Sequence, residues 1–282
     1  MFEPEQRFIL LCLQLITFFH EFCSSVISMV LLEESDEGIV KVVEHEVTGS
    51  SYNPTGSVEG IDRDESRLPD GAVKYSCDIM TLCNDARLIG NDSDISDESI
   101  PQYSIEGEPT EAALAVLVEK LGPCKTDDPS VMPSVLANQN NLYFSKKWER
   151  YGTLEFDRKR KSMSVLCMKK EEAAETCSLF VKGAPSMVLK RCSHAKLRNG
   201  KIVVLSNELV QQIENSIGSI GDRALRCIGL AYKSEQHLEP QLLRKNHQYD
   251  AYLKDSGKFE AIENGMTFVG MVAIKVSVCL FH

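Results

Sequence analysis

The most informative stretch of this chain is FDRKRKSMSV, residues 156–165, and KGAP, residues 182–185, follows one short strand later. Together they place one aromatic ring, two arginines and several lysines on adjacent short elements. A flat base offers a face on which an aromatic ring stacks, and phosphates need guanidinium and ammonium groups. Phe156, with Arg158, Lys161 and Lys182, therefore suits a nucleotide, although an aromatic residue in a strand is more often part of the core.

Two neighbouring features extend this pattern. Pro185 is expected to begin a helix directly after Lys182, which would add backbone N–H groups with partial positive charge. Arg226, in ALRC at 224–227, is a cation inside an otherwise apolar strand. A guanidinium in such a place needs either a carboxylate or a ligand phosphate as its partner.

The composition limits the class of protein. The chain has 282 residues, of which 43% are hydrophobic and 26% charged, as in ordinary globular proteins. Its net charge of -10 argues against nucleic acid or anionic lipid as a general partner. Ten cysteines without a CxxC pair indicate free thiols in a reducing compartment.

Sequence signatures of other sites are missing. There is no GxxxxGK[ST], GxGxxG, HExxH, GxSxG or zinc-ligand spacing, so the sequence predicts neither a catalytic residue nor a metal site. The acidic segment 91–98 is weakly similar to a calcium loop, but its turn glycine is missing, and a solvated loop is the better interpretation.

Hydrophobic periodicity predicts a mixed α/β fold, with short connections that favour an antiparallel sheet. Pro109 and Glu111 open one helix that Gly122 ends, and Ser206 caps another that ends at Gly221. Further helices are expected at 75–85 and 185–191. Strands are expected at 29–32, 38–48, 153–157, 162–168, 178–182, 201–205, 226–233 and 266–273.

Several segments resemble the P2-type calcium ATPases of the sarco/endoplasmic-reticulum kind, and their sequences are close to those of plant-type members. EFDRKRKSMSV at 155–165 is similar to the family's adenine site. The resemblance covers about residues 28 to 272. The other matches, in the family's order, are CNDA (83–86), GEPTEAALAVLVEKLG (107–122), FVKGAP (180–185), ALRCIGLAYK (224–233) and MTFVGMV (266–272).

The resemblance implies a nucleotide-binding domain, in which an antiparallel sheet is flanked by helices. It implies that Phe156 stacks on adenine, that Arg226 reaches the phosphates, and that Glu111 orients the basic groups or accepts a hydrogen bond from the adenine amine. The implied ligand is ATP with its Mg²⁺. The implied pocket residues are Glu111, Phe156, Arg158, Lys161, Lys182, Gly183 and Arg226.

The chain departs from the family at both ends. The aspartyl-phosphate motif DKTGT, the actuator motif TGES and the phosphorylation-domain motif GDGxND do not occur in it. We therefore expect residues 1–27 and 274–282 to be unmatched products of a truncated gene model or an alternative transcript. For the apolar run 8–19, which at twelve residues is too short to span a bilayer, a buried helix and a poor signal sequence are the alternatives. The nucleotide-binding domain is predicted at 28–265, and 266–273 as a strand returning toward a phosphorylation domain.

These features lead to one functional hypothesis with two alternatives. The chain would be the ATP-binding domain of a calcium-transporting pump, binding ATP without hydrolysing it alone. It would be monomeric and cytosolic, on the face of an internal membrane of the endoplasmic-reticulum type. Its partners would be the phosphorylation, actuator and transmembrane domains of that pump. The alternatives are a non-catalytic interaction protein and a non-functional fragment.

Overall fold

The structure, a computed structural model, describes residues 20–49, 52–92, 102–124, 131–170, 176–244 and 249–280. The apolar run 8–19 and most of the acidic segment 91–98 lie outside these residues. Among the helices of the described ranges, none combines the length and the apolar character needed to cross a membrane.

Strands with an alternating or continuous apolar pattern dominate the fold. They are β1 (His20–Glu34), β2 (Val40–Glu46), β3 (Arg87–Gly90), β4 (Tyr103–Glu106), β5 (Trp148–Asp157), β6 (Ser162–Lys169), β7 (Cys177–Gly183), β8 (Cys192–Lys196), β9 (Ile202–Val204), β10 (Arg226–Ser234) and β11 (Met266–Leu280).

The helices connect these strands. They are α1 (Ala72–Leu82), α2 (Pro109–Leu121), α3 (Pro133–Leu136), α4 (Gln139–Ser145), α5 (Pro185–Leu189), α6 (Asn207–Asp222), α7 (Tyr249–Leu253) and α8 (Phe259–Ile262), with short 3-10 turns between some of them. The bounds of α2 and the Ser206 cap of α6 agree with the sequence prediction, whereas α5 ends two residues before Arg191.

Nine strands of the described ranges form one sheet, in the order β2-β1-β11-β10-β7-β6-β5, with β8 beside β11 and β9 beside β8. Neighbouring strands are antiparallel, apart from β8, which runs parallel to β11. β3 and β4 form a separate antiparallel hairpin. The predicted fold class, α/β with an antiparallel sheet flanked by helices, is confirmed.

Helices cover both faces of the central sheet, which explains why β6 and β7 are buried along most of their length. Val165 packs on one side with Leu117 of α2, whereas its neighbour Leu166 packs on the other side with Ile213 of α6. The period of two along each strand therefore divides its apolar residues between two cores.

The two outer segments of the chain pair with each other. β1 and β11 run antiparallel from His20 beside Leu280 to Leu31 beside Gly270, with an irregularity between Val26 and Ser28. Both strands are longer than predicted. Their backbone hydrogen bonds extend into polar residues that the hydrophobic pattern did not assign to a strand. The predicted domain limits after residues 27 and 273 thus fall inside two paired strands, and the division into domains stays a prediction.

Candidate functional site

One cleft collects the residues that the sequence singled out. It has a volume of about 960 Å³ and lies where β5, β7 and β10 come close to the first turn of α2. All seven predicted site residues line it: Glu111, Phe156, Arg158, Lys161, Lys182, Gly183 and Arg226. Residues 115 positions apart along the chain, Glu111 and Arg226, thus face the same space.

Phe156 reaches this cleft because β5 contains a β-bulge. Leu154 pairs with Ser164 and Asp157 pairs with Ser162, so three steps on β5 oppose two steps on β6. An extra residue in one strand bends it and redirects the side chains at the bulge. The side chain of Phe156 is consequently 60% exposed, and Glu155 is exposed as well. Strict alternation, which would bury one of the two, is wrong at this point.

The turn after Phe156 is held by its own aspartate. The Asp157 carboxylate accepts the N–H groups of Lys159 at 2.7 Å and Arg160 at 2.9 Å, and the Asp157 carbonyl accepts the N–H of Lys161 at 2.8 Å. These bonds satisfy the backbone of a tight turn. Lys161 adopts the left-handed conformation, with φ of 51°, which is uncommon for a residue other than glycine.

Gly183 allows β7 to approach this turn closely. A Cβ atom at position 183 would lie 2.4 Å from the carbonyl oxygen of Lys161 and 2.8 Å from the Cα of Ser162. The next residue, Ala184, donates its N–H to the same carbonyl at 2.8 Å. Gly183 therefore lines the cleft as a backbone position, at which a side chain would separate the two strands.

Lys182 and Glu111 form a pair in the cleft. The Nζ atom of Lys182 lies 2.6 Å from Oε1 of Glu111, and their side chains are 8% and 20% exposed. Lys182 is the last buried residue of β7, while Glu111 lies in the first turn of α2, whose following ten residues are buried. Both side chains are thus fixed by core elements. Of the two roles that the resemblance implied for Glu111, this contact supports the orientation of a basic group.

The loop after α1 supports Glu111 from the other side. Asp85 donates its N–H to Oε2 of Glu111 at 3.0 Å. Asn84 donates its side-chain amide to the carbonyl oxygens of Met80 and Glu111, and its Oδ1 accepts the N–H of Ala86. The CNDA segment at 83–86 therefore anchors the carboxylate that holds Lys182.

The remaining cations of the cleft are exposed to solvent. Arg158, Lys161 and Arg226 are all exposed, and for Arg158 and Arg226 the described residues provide no ion pair. Arg226 is exposed and not enclosed by apolar side chains, and its predicted partner, a carboxylate or a ligand phosphate, stays a prediction. Arg226 is the first residue of β10, two positions after Ala224, whose φ of 56° marks a turn.

Some lining residues were not singled out from the sequence. They are Glu108, Thr110, Met163, Ala184, Cys227 and Ile228. Met163 pairs with Lys182 across β6 and β7, and its carbonyl accepts a hydrogen bond from the Cys83 thiol. Burial raises the pKa of Cys83 to about 11, so this thiol stays protonated at neutral pH. The alternation of β6 and β10 was the available signal for Met163 and Ile228.

The charge of the cleft is positive although that of the chain is negative. Four cations and two carboxylates line it, in a chain with a net charge of -10. No cluster of three or more His, Cys, Asp or Glu that could hold a metal ion occurs in the described ranges. The exposed ring can stack on a planar base, and the cations beside it can attract the phosphates of the same ligand. The residues therefore fit a nucleotide.

The chain is similar in sequence to known proteins. The family model described as "P-type ATPase, cytoplasmic domain N" matches residues 72–275. The chain is 35% identical over 244 residues to "Probable calcium-transporting ATPase" of Trypanosoma brucei brucei. That alignment covers 83% of this chain and 22% of the relative, so the chain spans about a fifth of the relative's length. The chain belongs to the P-type ATPase family, and it comprises the cytoplasmic domain N of that family.

Proposed function

We propose that this chain binds ATP, together with its Mg²⁺, in the cleft beside Phe156. The observation that carries the proposal is the Phe156 ring, which a β-bulge leaves 60% exposed at a cleft lined by four cations. Removing the exposed face of this ring from water lowers the free energy, and a purine offers a flat face that covers it. ATP joins a planar base to a triphosphate, and both parts match groups in the cleft.

Each lining residue then has a definite task. Phe156 stacks on the adenine, and Gly183 leaves room for the nucleotide beside the turn. Lys182, held by Glu111, together with Arg158, Lys161 and Arg226, balances the negative charge of the phosphates. Mg²⁺ is usually held by phosphate oxygens and water, so it would enter with the nucleotide.

The larger protein behind this domain is, in our proposal, a calcium-transporting pump. The support is the relative named as a probable calcium-transporting ATPase and the order of the motifs along the chain. Assignment to the sarco/endoplasmic-reticulum subtype, on an internal membrane, rests on the amino-acid sequences of those motifs. The phosphorylation, actuator and transmembrane domains of such a pump would be the partners of this domain.

The 282 residues alone should bind ATP without transferring its phosphate to the protein. The aspartate within a DKTGT sequence accepts the phosphoryl group in the pumps that this chain resembles, and the sequence contains no DKTGT. Without that carboxylate the covalent step has no nucleophile. We therefore assign nucleotide binding, and no phosphoryl transfer, to the chain by itself.

Calorimetric titration of the purified chain tests this proposal. ATP, with and without Mg²⁺, should bind at one saturable site, and Phe156→Ala should weaken binding roughly tenfold, the size of one stacking interaction. Val204→Ala, at a site 70% exposed and outside the cleft lining, is the matched control and should bind like the unmodified chain. Equal affinity of the Phe156→Ala variant and the unmodified chain would contradict the proposal.

A further inference from the structure

A group of buried charges lies beneath the turn that follows Phe156. Arg160 belongs to the basic run 158–161, but its side chain points inward and only 2% of the residue is exposed. Its Nη1 atom donates to Oε1 of Glu263, a residue with no exposed surface. Arg191 lies on the other side, with its Nη1 3.2 Å from Oε2 of Glu263.

The Glu263 carboxylate is satisfied by four side chains. Besides the two guanidinium groups, Ser164 donates its hydroxyl to Oε1 and Ser162 donates to Oε2, both at 2.8 Å. A buried carboxylate is tolerated only when it is paired and hydrogen-bonded in this way. Glu263 follows α8 directly, so this contact joins the turn to a segment about a hundred residues further along the chain.

The other nitrogen atoms of Arg160 donate hydrogen bonds to the residues on both sides of Phe156. Its Nη2 donates to the carbonyl of Glu155 at 2.6 Å, and its Nε lies 2.5 Å from Oδ2 of Asp157. The same Asp157 carboxylate holds the N–H groups of the turn. The guanidinium spreads five N–H donors over three nitrogen atoms in a rigid fork, whereas a lysine carries its three donors on one atom, so a lysine could not make all of these contacts at once.

We propose that Glu263 is a positioning residue for the base-stacking ring: through Arg160 it fixes the bulge that turns Phe156 toward the cleft. This inference rests on the proposed binding of ATP. Glu263 does not line the cleft and would not touch the nucleotide. Its effect on affinity should pass through Phe156 and disappear when that ring is absent.

A double-mutant cycle with Glu263→Gln and Phe156→Ala tests this route. Glu263→Gln should lower ATP affinity roughly tenfold in the unmodified chain, as loss of a stacking contact does, and less than twofold in the Phe156→Ala background. Tripolyphosphate, which has no base, should bind the unmodified chain and the Glu263→Gln variant equally. Glu119→Gln removes another buried carboxylate away from the turn and should leave both affinities unchanged.

Amide hydrogen exchange supplies a readout that does not depend on ATP. Glu263→Gln should accelerate exchange at Lys159, Arg160 and Lys161 by at least tenfold, whereas Glu119→Gln should leave these amides unchanged. If Glu263→Gln does not fold, Arg160→Lys, which keeps the positive charge, replaces it in both measurements. If the unmodified chain fails to bind ATP, the proposed function is wrong, and exchange still decides whether Glu263 holds the turn.

Two results would overturn the inference. Unchanged exchange at 159–161 would mean that Glu263 does not hold the turn. Equal losses of ATP affinity in the presence and absence of the Phe156 ring would mean that Glu263 acts on general stability, and not through this side chain.

Discussion

Lys182 and Glu111 are 71 positions apart in the chain, yet Nζ of the lysine lies 2.6 Å from Oε1 of the glutamate. Lys182 lies one residue before the end of a central strand, and Glu111 lies in the first turn of a buried helix. The contact therefore fixes an ammonium group at the edge of the cleft before any ligand binds. Such preorganisation reduces the entropy lost on binding.

Reversing the charge of this lysine should abolish nucleotide binding. Lys182→Glu would place two carboxylates against each other and repel the phosphates, so we expect no measurable ATP affinity and a stability loss of about 3 kcal/mol. Lys159→Glu makes the same change at an exposed lysine outside the cleft lining. This control should alter affinity by less than about threefold, because exposed charges are screened by salt. Similar losses in calorimetric titrations of both variants would contradict a specific role for Lys182.

Gly183 offers a test of the close packing at the cleft. Gly183→Ala would bring a Cβ atom within 2.4 Å of the Lys161 carbonyl, so it should destabilise the protein by about 1–3 kcal/mol and weaken ATP binding. Gly218→Ala is the matched control, because it lies within α6 with open space around it. There alanine should stabilise by about 0.5–1 kcal/mol. Urea unfolding measures the change in the free energy of unfolding for each variant. Changes of the same sign in Gly183→Ala and Gly218→Ala would contradict the close packing described at Gly183.

Much of the fold could be predicted from short-range pattern. β6 and β7 are rich in apolar residues, and Pro109 with Gly122 marks both ends of α2. The first half of β5 was missed because two adjacent charged residues separate Trp148 from Tyr151, which breaks the alternation expected of a strand. β8 was missed because its sequence, CSHAK, is mostly polar. Tertiary pairing, and not local propensity, makes these segments strands.

The candidate site also has features that the sequence predicts and features that depend on tertiary contacts. The residue types of the cleft were visible in the sequence, because stacking and phosphate binding require particular side chains. The bulge that exposes Phe156 and the inward direction of Arg160 were not visible. Both depend on contacts with residues far along the chain, above all Glu263, and no local spacing signals such a contact.

The stability of the chain should respond to pH through Glu119. This carboxyl is 2% exposed, and burial raises its pKa to about 7 from an ordinary value of 4.5, although Asn140 and Asn141 donate hydrogen bonds to it. The folded chain therefore binds this proton more tightly than the unfolded chain does. The stabilising contribution of the protonated form is complete below pH 4.5 and is lost as the pH rises through about 7.

Glu119→Gln removes this titration. The free energy of unfolding of the unmodified chain, relative to that of the variant, should fall between pH 4.5 and 7 in urea titrations. Glu34→Gln is the control, since the hydrogen bond from Lys201 lowers the pKa of that half-buried carboxyl. It should show no such loss across this range. A difference between Glu119→Gln and the unmodified chain that does not change with pH would contradict the assignment.

Phosphoryl transfer offers a further test of the division between binding and catalysis. After incubation with γ-labelled ATP, Mg²⁺ and Ca²⁺, the acid-precipitated 282-residue chain should carry no label above that of a boiled sample. The physical reason is that the sequence contains no DKTGT aspartate to accept the group. Acid-stable, hydroxylamine-sensitive label on the chain would show that another carboxylate serves as acceptor.

The most direct measurement is a titration of the isotopically labelled chain with ATP and Mg²⁺, followed through backbone amide NMR shifts. We expect saturable shifts concentrated at residues 108–111, 156–163, 182–184 and 226–228. Phe156→Ala should reach saturation only at roughly tenfold higher ATP, and Lys182→Glu should show no saturable shift. A well-dispersed spectrum that shows no saturable shift at these positions would contradict ATP binding in this cleft.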